Sequence, residues 1–406
     1  MKLGKVIFWL HLLTGTMAGS VILVMAVSGV LLAVEPQIIE WSERELRAAP
    51  APAADAKRVD LDTIVAEARR AHPEGRPTLV TVRAEPRSSI RVAFGREGAL
   101  YFDPYTGAAL GASSKIADAL HVVEDWHRWL GSREIGRPFT GVCNLAFLGM
   151  AISGVYLWWP RPTRRGALKA VAVPSFRLRG RARDFNWHNS IGIWCAPVLI
   201  VITLTGAVMS YQWANDLLYR LTGNAPPPPA GGPGAGAPRS DAPATGESRQ
   251  TNLAAVRARA EQQVPGWVAI TLRLPQRPGA PIVAIVQEPP AWHPTPRSQL
   301  TLDASTAAVV SWEPFAAQNL GRRLRSWVRP LHTGEAGGLV GQAIVGLAST
   351  GGAFLVYTGV ALAWRRLRGR RGAAYPVGAR RSSSDHRQQV TGSTRASQPR
   401  STTHGG

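Results

Sequence analysis

The sequence predicts a membrane α-helical fold in which four transmembrane helices form an internal duplication and carry two exported α+β domains. Four stretches contain no Asp, Glu, Lys or Arg, and each is long enough to cross a bilayer as a helix, which needs about 20 residues. Spacings between histidine and glycine also recur in the two halves of the chain. The charge-free stretches are residues 6–34, 139–160, 187–215 and 339–364. They exclude a purely soluble chain, and the polar segments between them exclude a chain wholly buried in lipid.

Residues 1–36 are expected to form an uncleaved transmembrane helix 1. The first apolar stretch is much longer than the apolar core of a secretory signal peptide, which has about 7 to 15 residues. The sequence Val34-Glu35-Pro36 also lacks a small-residue cleavage site. We therefore interpret this stretch as an anchor.

Residues 37–120 are expected to form the first exported α+β domain, and residues 251–320 the second. The first contains a helical pattern at 61–72, strand patterns at 78–84 and 89–94, and a strand from Ala99 to the Asp103-Pro104 turn. The second repeats this order, with a helix at 253–263, strands at 268–274 and 282–287, and a strand that ends at Asp303. Residues 216–250, rich in Pro and Gly, are expected to be a flexible linker.

The remaining segments complete a four-span topology. Residues 121–160 and 321–366 each combine a juxtamembrane segment with a transmembrane helix (helices 2 and 4), and residues 187–215 form helix 3. The short loop 161–186 holds eight basic residues and one acid, Asp184, so the positive-inside rule makes it cytoplasmic. The tail 367–406, which opens with arginines, is then also cytoplasmic and is expected to be disordered. Both termini would be cytoplasmic and both α+β domains periplasmic, in a bacterial inner membrane.

The net charge of +21, from 47 basic and 26 acidic residues, is interpreted as a topology signal. The basic residues cluster at helix ends without interleaved aromatic residues, which is not the pattern of a nucleic-acid interface. The expected partner is a lipid bilayer, and no nucleic acid is expected.

Matched spacings predict the duplication. In spans one and three, a histidine is followed by glycine after 4 residues and by a second glycine after 18. In the other two spans, the distance from histidine to glycine is 27 residues in both halves. The residues concerned are His11, Gly15 and Gly29, His188, Gly192 and Gly206, His127 and Gly154, and His332 and Gly359. We therefore expect two copies of helix, exported α+β module and helix.

These four histidines are candidate haem ligands. The topology places His11 and His188 at the cytoplasmic ends of spans one and three, and His127 and His332 on the periplasmic side. Two facing imidazoles are what a six-coordinate b-type haem requires as axial ligands. Alternatively each ring is an ordinary interfacial residue, and His121 is an alternative partner for His127. Zinc is less favoured, because neither pair has an obvious carboxylate or thiolate to complete a tetrahedral shell.

Each of the other candidate residues near the histidines has two alternative interpretations. Gly15 and Gly192 either leave a flat surface for a porphyrin or allow close packing of helices. Arg128 and Arg329, with other arginines nearby, either bind haem propionates or belong to a juxtamembrane belt. Cys143 and Cys195 lie in apolar stretches and form no CxxC pair or haem-attachment motif.

Several motifs together resemble the PepSY-associated transmembrane helix proteins, which include iron-regulated membrane proteins and ferric-siderophore reductases. The motifs are Trp9-Leu-His11-Leu-Leu-Thr-Gly15, Asp125-Trp-His127-Arg-Trp-Leu-Gly131, Ser153-Gly-Val-Tyr-Leu-Trp-Trp-Pro160, Asn186-Trp-His188-Asn-Ser-Ile-Gly192, Leu204-Thr-Gly206 and Leu331-His332-Thr-Gly334. The chain departs from the family pattern at Leu12, where the family often has arginine, and in its Pro/Gly insert.

The resemblance implies four spans, two periplasmic PepSY domains and, in the reductase members, two haems b carried by helix histidines. It also implies a function, which is to pass electrons from a quinol or cytoplasmic donor across the membrane and reduce a ferric chelate or siderophore. Two alternatives stay open. One is a non-enzymatic PepSY membrane anchor that binds or regulates a periplasmic partner such as a peptidase, and the other is a cytochrome b subunit for another acceptor.

Overall fold

Long helices and one sheet make up the described part of the chain. A computed structural model describes residues 3–50, 56–159, 172–227, 251–277, 279–289, 293 and 295–372. Its α-helices are α1 (Leu3–Ala33), α2 (Glu35–Ser42), α3 (Arg44–Arg47), α4 (Leu61–Ala71), α5 (Lys115–Trp129), α6 (Arg133–Trp158), α7 (Gly180–Ser210), α8 (Gln212–Leu221), α9 (Leu253–Gln263), α10 (Leu320–Thr333) and α11 (Gly338–Gly372). Its strands are β1 (Leu79–Arg83), β2 (Ile90–Ala93), β3 (Ala99–Phe102), β4 (Ala109–Ala112), β5 (Ala269–Arg273), β6 (Ile282–Gln287), β7 (Arg297–Leu302) and β8 (Val309–Glu313).

Four helices among the described residues are long and apolar enough to cross a membrane. They are α1, α6, α7 and the segment Glu335–Arg368, which includes most of α11. Large apolar side chains on them are exposed, as at Met17 (75%) and Leu347 (72%). Such a surface is stable only against lipid or a protein partner. The predicted membrane α-helical fold with four spans is thus confirmed.

Left-handed residues separate the juxtamembrane helices from the spans that follow them. Leu130 (φ 49°) and Gly131 (φ 79°) end α5 before α6 begins, and Gly334 (φ 82°) ends α10 before α11. Glycine suits this conformation because it has no Cβ to clash with the backbone. His127 and His332 therefore lie on short helices of their own, outside the spanning helices.

The strands form one continuous antiparallel sheet in the order β4-β3-β2-β1-β5-β6-β7-β8. The first and second α+β regions meet where β1 pairs with β5, and Thr81 lies opposite Thr271 at the middle of that register. Their hydroxyl oxygens are 3.1 Å apart. The sequence predicted the two regions separately and predicted neither β4 nor β8. It did not indicate that the two regions share a sheet.

One apolar core lies between the sheet and the helices α4 and α9. Strand β6 alternates buried and half-buried residues along its length, as a strand with one face on a core must. The core includes Ile64 of α4, Val256 of α9, and Val80 and Ile270 of the two central strands, all fully buried. Asp62 also joins the two helices, since its carboxylate accepts the Leu253 and Ala254 amides at the start of α9.

The predicted strands and the predicted helices at 61–72 and 253–263 agree with these bounds to within one or two residues. Helix 3, predicted at 187–215, instead begins at Gly180 and ends at Ser210. Part of the predicted basic loop (161–171), part of the linker (228–250) and the tail from residue 373 lie outside the described residues.

Candidate functional site

The four predicted histidines come together as two pairs. His11 on α1 faces His188 on α7, with ring centres 6.4 Å apart and ring planes at 86°. His127 on α5 faces His332 on α10, with ring centres 6.3 Å apart and planes at 69°. Each pair thus takes one imidazole from each half of the chain.

Both spacings fit a metal held between two imidazoles. With a metal–nitrogen distance of about 2 Å, and each ring centre about 1 Å beyond its nitrogen, two axial imidazoles have ring centres about 6 Å apart. The spacing alone does not identify a metal site, because edge-to-face contacts between aromatic rings cover about 4.5 to 7 Å. The hydrogen bonds of the rings are a second, independent observation.

In all four histidines the Nδ1 atom is hydrogen-bonded to a hydroxyl of a neighbouring helix. Three of the distances are 2.9 Å, and the fourth, from His332 to Thr205, is 3.1 Å. The partners are Ser153 for His11, Ser28 for His127, Thr358 for His188 and Thr205 for His332. The arrangement is the same in both halves. Spans two and four supply the hydroxyls that contact His11 and His188, and spans one and three supply those that contact His127 and His332.

The direction of these bonds follows from the second contact of each hydroxyl. Each Ser or Thr lies within hydrogen-bond distance of a carbonyl of its own helix, for example Ser28 with Val24 at 2.6 Å and Thr358 with Phe354 at 3.0 Å. A carbonyl only accepts, so the hydroxyl hydrogen goes there and the oxygen accepts Nδ1–H. His332 shows this directly, because its Nδ1 also lies 2.8 Å from the Ile202 carbonyl oxygen.

In the neutral form of all four rings, Nε2 is therefore the unprotonated nitrogen. Within the described residues no hydrogen bond reaches any of these Nε2 atoms. A metal-bound histidine is typically held in this way, with its other nitrogen donating to a second partner that sets the tautomer and the ring orientation. The donor set of each pair therefore fits an axially ligated haem iron.

A family model described as a PepSY-associated TM region matches residues 8–366. The chain belongs to this family. The resemblance drawn from the sequence motifs is thereby confirmed, and the matched residues include both histidine pairs. No curated protein matches the chain.

The hydroxyl partners are the site residues of this PepSY-associated chain that sequence reasoning missed. Ser28, Ser153, Thr205 and Thr358 each precede a glycine that served only as a spacing landmark. At three of these glycines an added Cβ would lie 3.5 Å from a histidine Cε1, at Gly29, Gly154 and Gly359. The hydroxyl thus binds the histidine ring, and the glycine that follows leaves room for the edge of that ring. The sequence signal that could have identified these hydroxyls is the Ser-Gly or Thr-Gly pair that occurs in each of the four spans.

Gly15 and Gly192 contact neighbouring helices. An added Cβ at Gly15 would lie 3.0 Å from Met150 Cε on α6, and one at Gly192 would lie 3.6 Å from Leu355 Cδ2 on α11. These are contacts of close helix packing, one of the two readings of these glycines.

The predicted arginines differ in their contacts. The Arg128 guanidinium donates to Glu124 at 2.8 Å and lies over the Trp129 ring at 4.4 Å. Arg329 lines a cavity beside α10. His121 lies outside the pair that contains His127, with its Nδ1 3.8 Å from a Glu124 carboxylate oxygen.

The electrostatics around the second pair favour neutral imidazoles. Loss of contact with water, followed by the neighbouring His332, lowers the pKa of His127 to about 4. Burial likewise lowers the pKa of His332. A neutral imidazole has the free lone pair that a metal needs.

Within the described ranges, no group of three or more His, Cys, Asp or Glu side chains is placed to hold a metal ion. A zinc site built from protein ligands alone usually needs four of them. The pairs therefore fit an ion whose remaining positions are filled by a macrocycle better than they fit zinc.

Proposed function

We propose that this protein binds two haems b, passes electrons across the membrane and reduces ferric iron chelates on its periplasmic side. The observation that carries the proposal is the repeated imidazole pair, in which Nδ1 of each ring is bound to a hydroxyl and Nε2 has no hydrogen bond within the described residues. His11 and His188 would hold one haem, and His127 and His332 the other. A haem b bound in this way supplies reversible one-electron transfer.

The residues of the chain have mainly positioning roles in this proposal. The hydroxyls of Ser28 and Thr205 hold the rings of the second pair in one tautomer, and Ser153 and Thr358 do so for the first pair. Each ring bonds to a helix other than its own, so helix packing sets the spacing within each pair. No residue needs to act as an acid, a base or a nucleophile.

We also propose that the two halves arose by duplication, with PepSY-like modules in the periplasm and both termini in the cytoplasm of a bacterial inner membrane. Each half contains the same two histidine–hydroxyl hydrogen bonds between its own spans, and this equivalence supports the duplication. The basic residues of the loop 161–186 and of the tail support the orientation through the positive-inside rule.

The test is to measure haem in detergent-purified protein from haem-replete cells. The expected result is a Soret band, with visible bands that sharpen and split on reduction by dithionite, and two haems per chain by pyridine haemochrome. His11→Ala and His127→Ala should each remove one haem. His121→Ala is the matched control and should keep both.

Re-oxidation of the reduced protein by ferric chelates then tests the activity. A folded but colourless protein would overturn the proposal and favour the PepSY anchor. Two haems that ferric chelates fail to oxidise would favour a cytochrome b subunit for another acceptor.

A further inference from the structure

An open cavity of about 670 Å³ lies between the second α+β region and three helices. It is bordered by α2, by the start of β7, by α10 and by the start of α11. This volume is typical of small-molecule sites, which occupy about 300 to 1,000 Å³. The polar residues that line it include Gln37, His293, Arg297, Arg329, Glu335 and Gln342.

Two of the helices that line the cavity also lead to the pair of His127 and His332. Helix α10 carries His332, and α11 packs near His127. Arg329 precedes His332 by three residues on α10, which is about 5 Å along the helix axis. On α11, Gln342 lines the cavity, and Ser349, two turns later, lies beside Gly29, which contacts the His127 ring. A ligand in the cavity would therefore sit close to the second pair.

Two arginine side chains line the cavity with few acidic groups nearby to balance their charge. Arg297 and Arg329 both line it, and within the described residues neither forms an ion pair. Burial, and next the charge of Arg329, lower the pKa of Arg297, so the two guanidinium groups repel each other. Glu335 is the single acid among the residues that line the cavity. Paired guanidinium groups match planar oxyanions, which they bind through two parallel hydrogen bonds.

His293 gives the cavity a rigid wall. It is 2% exposed, and its ring packs edge-on against Phe315 and Trp327, with centres 5.3 and 4.9 Å away. Its Nδ1 accepts the Thr295 amide at 3.1 Å, which fixes the ring orientation. These contacts hold the His293 ring in one orientation at the cavity wall.

The geometry points to this cavity as the binding site for an anionic metal chelate of the carboxylate type, held by Arg297 and Arg329. The inference rests on the proposed function, since such a chelate is the electron acceptor. One electron from the reduced protein converts Fe(III) in the chelate to Fe(II), and the chelating ligand itself is unchanged. The cavity adjoins the second α+β region and not the seam between β1 and β5.

The matched positions in the first half do not repeat this arrangement. The residue three before the juxtamembrane histidine is Arg329 in the second half and Glu124 in the first. Although the two halves share one scaffold, only the second has a basic residue at this position. This difference is consistent with a single acceptor site.

The test uses gallium(III) citrate, which has the charge and size of the ferric complex but is not reduced. Binding to the purified full-length protein, measured by calorimetry, requires no haem. Arg297→Gln should weaken binding by about tenfold, as expected for the loss of one charge-assisted hydrogen bond. Arg273→Gln, on β5 outside the cavity lining, is the matched control and should bind like the natural protein.

The outcomes separate this inference from the proposed function. Equal binding by Arg297→Gln, Arg329→Gln and Arg273→Gln would overturn the site. Weaker binding in the two cavity variants alone would establish an anion site even in a protein without haem. If haem is present, stopped-flow oxidation by ferric citrate should slow in Arg297→Gln with an unchanged haem content.

Discussion

At the scale of the residue, what distinguishes the paired histidines is how their Nδ1 atoms are satisfied. The surface histidines His72 and His121 lie beside carboxylates. The Nδ1 atom of His293 accepts an amide hydrogen, which gives it the opposite tautomer. The paired rings donate Nδ1–H to neutral hydroxyls. A neutral partner orients the ring without favouring the imidazolium form, which suits a metal ligand.

Thr358→Val tests this arrangement. Valine keeps the shape of threonine but removes the acceptor for His188 Nδ1–H, so haem affinity at the first pair should fall by about 10- to 100-fold. The measurement is haem retention during dilution or transfer to an apo-acceptor protein.

Thr350→Val is the matched control on the same helix. Its hydroxyl donates to the Gly346 carbonyl at 2.9 Å and contacts no histidine, so retention should be unchanged. Equal loss in both variants would indicate a general packing effect and not a role for the hydroxyl.

At the scale of the element, the junctions between helices decide where the second pair lies. The turn between α5 and α6 brings the start of α6 against the end of α5, and the Thr140 hydroxyl reaches the Arg128 carbonyl at 2.7 Å. Gly136 permits this close approach, since an added Cβ would overlap the Trp129 carbonyl. His127 depends on this junction for its position.

Gly136→Ala should therefore lower the free energy of unfolding by about 2 kcal/mol or more, because the overlap involves backbone atoms and requires the junction to shift. Gly149→Ala on the same helix meets no atom within 4 Å among the described residues and should be neutral or stabilising. Thermal unfolding in one detergent compares the two. A Gly136→Ala protein as stable as Gly149→Ala would contradict the structure of the junction.

The turn after β7 predicts a dependence on pH. The Ser305 hydroxyl, and next the Thr306 amide, donate to the Asp303 carboxylate and lower its pKa to about 2 from an ordinary 3.8. Because the folded pKa is depressed, this stabilisation is present above about pH 4 and is lost as the pH falls toward 2.

Asp303→Asn should accordingly destabilise the protein by about 1 kcal/mol at neutral pH, with allowance for solvent screening. The difference from the natural protein should shrink as the pH falls below 4. Ser305→Ala should show a smaller effect in the same direction. A difference in melting temperature that stays constant from pH 7 to pH 3 would exclude this role of the carboxylate.

At the scale of the whole molecule, the pairing of β1 with β5 makes one body of the two α+β regions. The Thr81 and Thr271 side chains lie on the same face with hydroxyls 3.1 Å apart. If the sheet lies in the periplasm as proposed, Thr81→Cys combined with Thr271→Cys should form a disulfide without added oxidant, since that compartment is oxidising. Thiol titration of the purified protein gives the result.

The combination of Thr81→Cys with Ile270→Cys is the control, because adjacent residues of a strand point to opposite faces. It should stay reduced. A cysteine pair at positions 81 and 271 that stays reduced even with added oxidant would contradict the shared sheet, whereas one that needs added oxidant would contradict the proposed periplasmic location.

Much of the fold was predictable because its signals are local. Helix α9 was predicted at the bounds that the structure has, and β6 likewise, since their patterns need only neighbouring residues. Strands β4 and β8 were missed because each is a short edge strand that follows a turn and carries a weak pattern. For the site, the spacings indicated which histidines matter but not what each Nδ1 atom contacts.

The sequence by itself determined the four spans and the register of the histidines, because a bilayer core requires an uninterrupted apolar run and a repeat keeps its spacing. Only the tertiary structure decided which imidazoles face each other, which hydroxyls hold them and where the two halves join. The physical reason is separation along the chain. The hydroxyl–histidine bonds join residues 99 to 170 positions apart, and no local pattern encodes a contact over that distance.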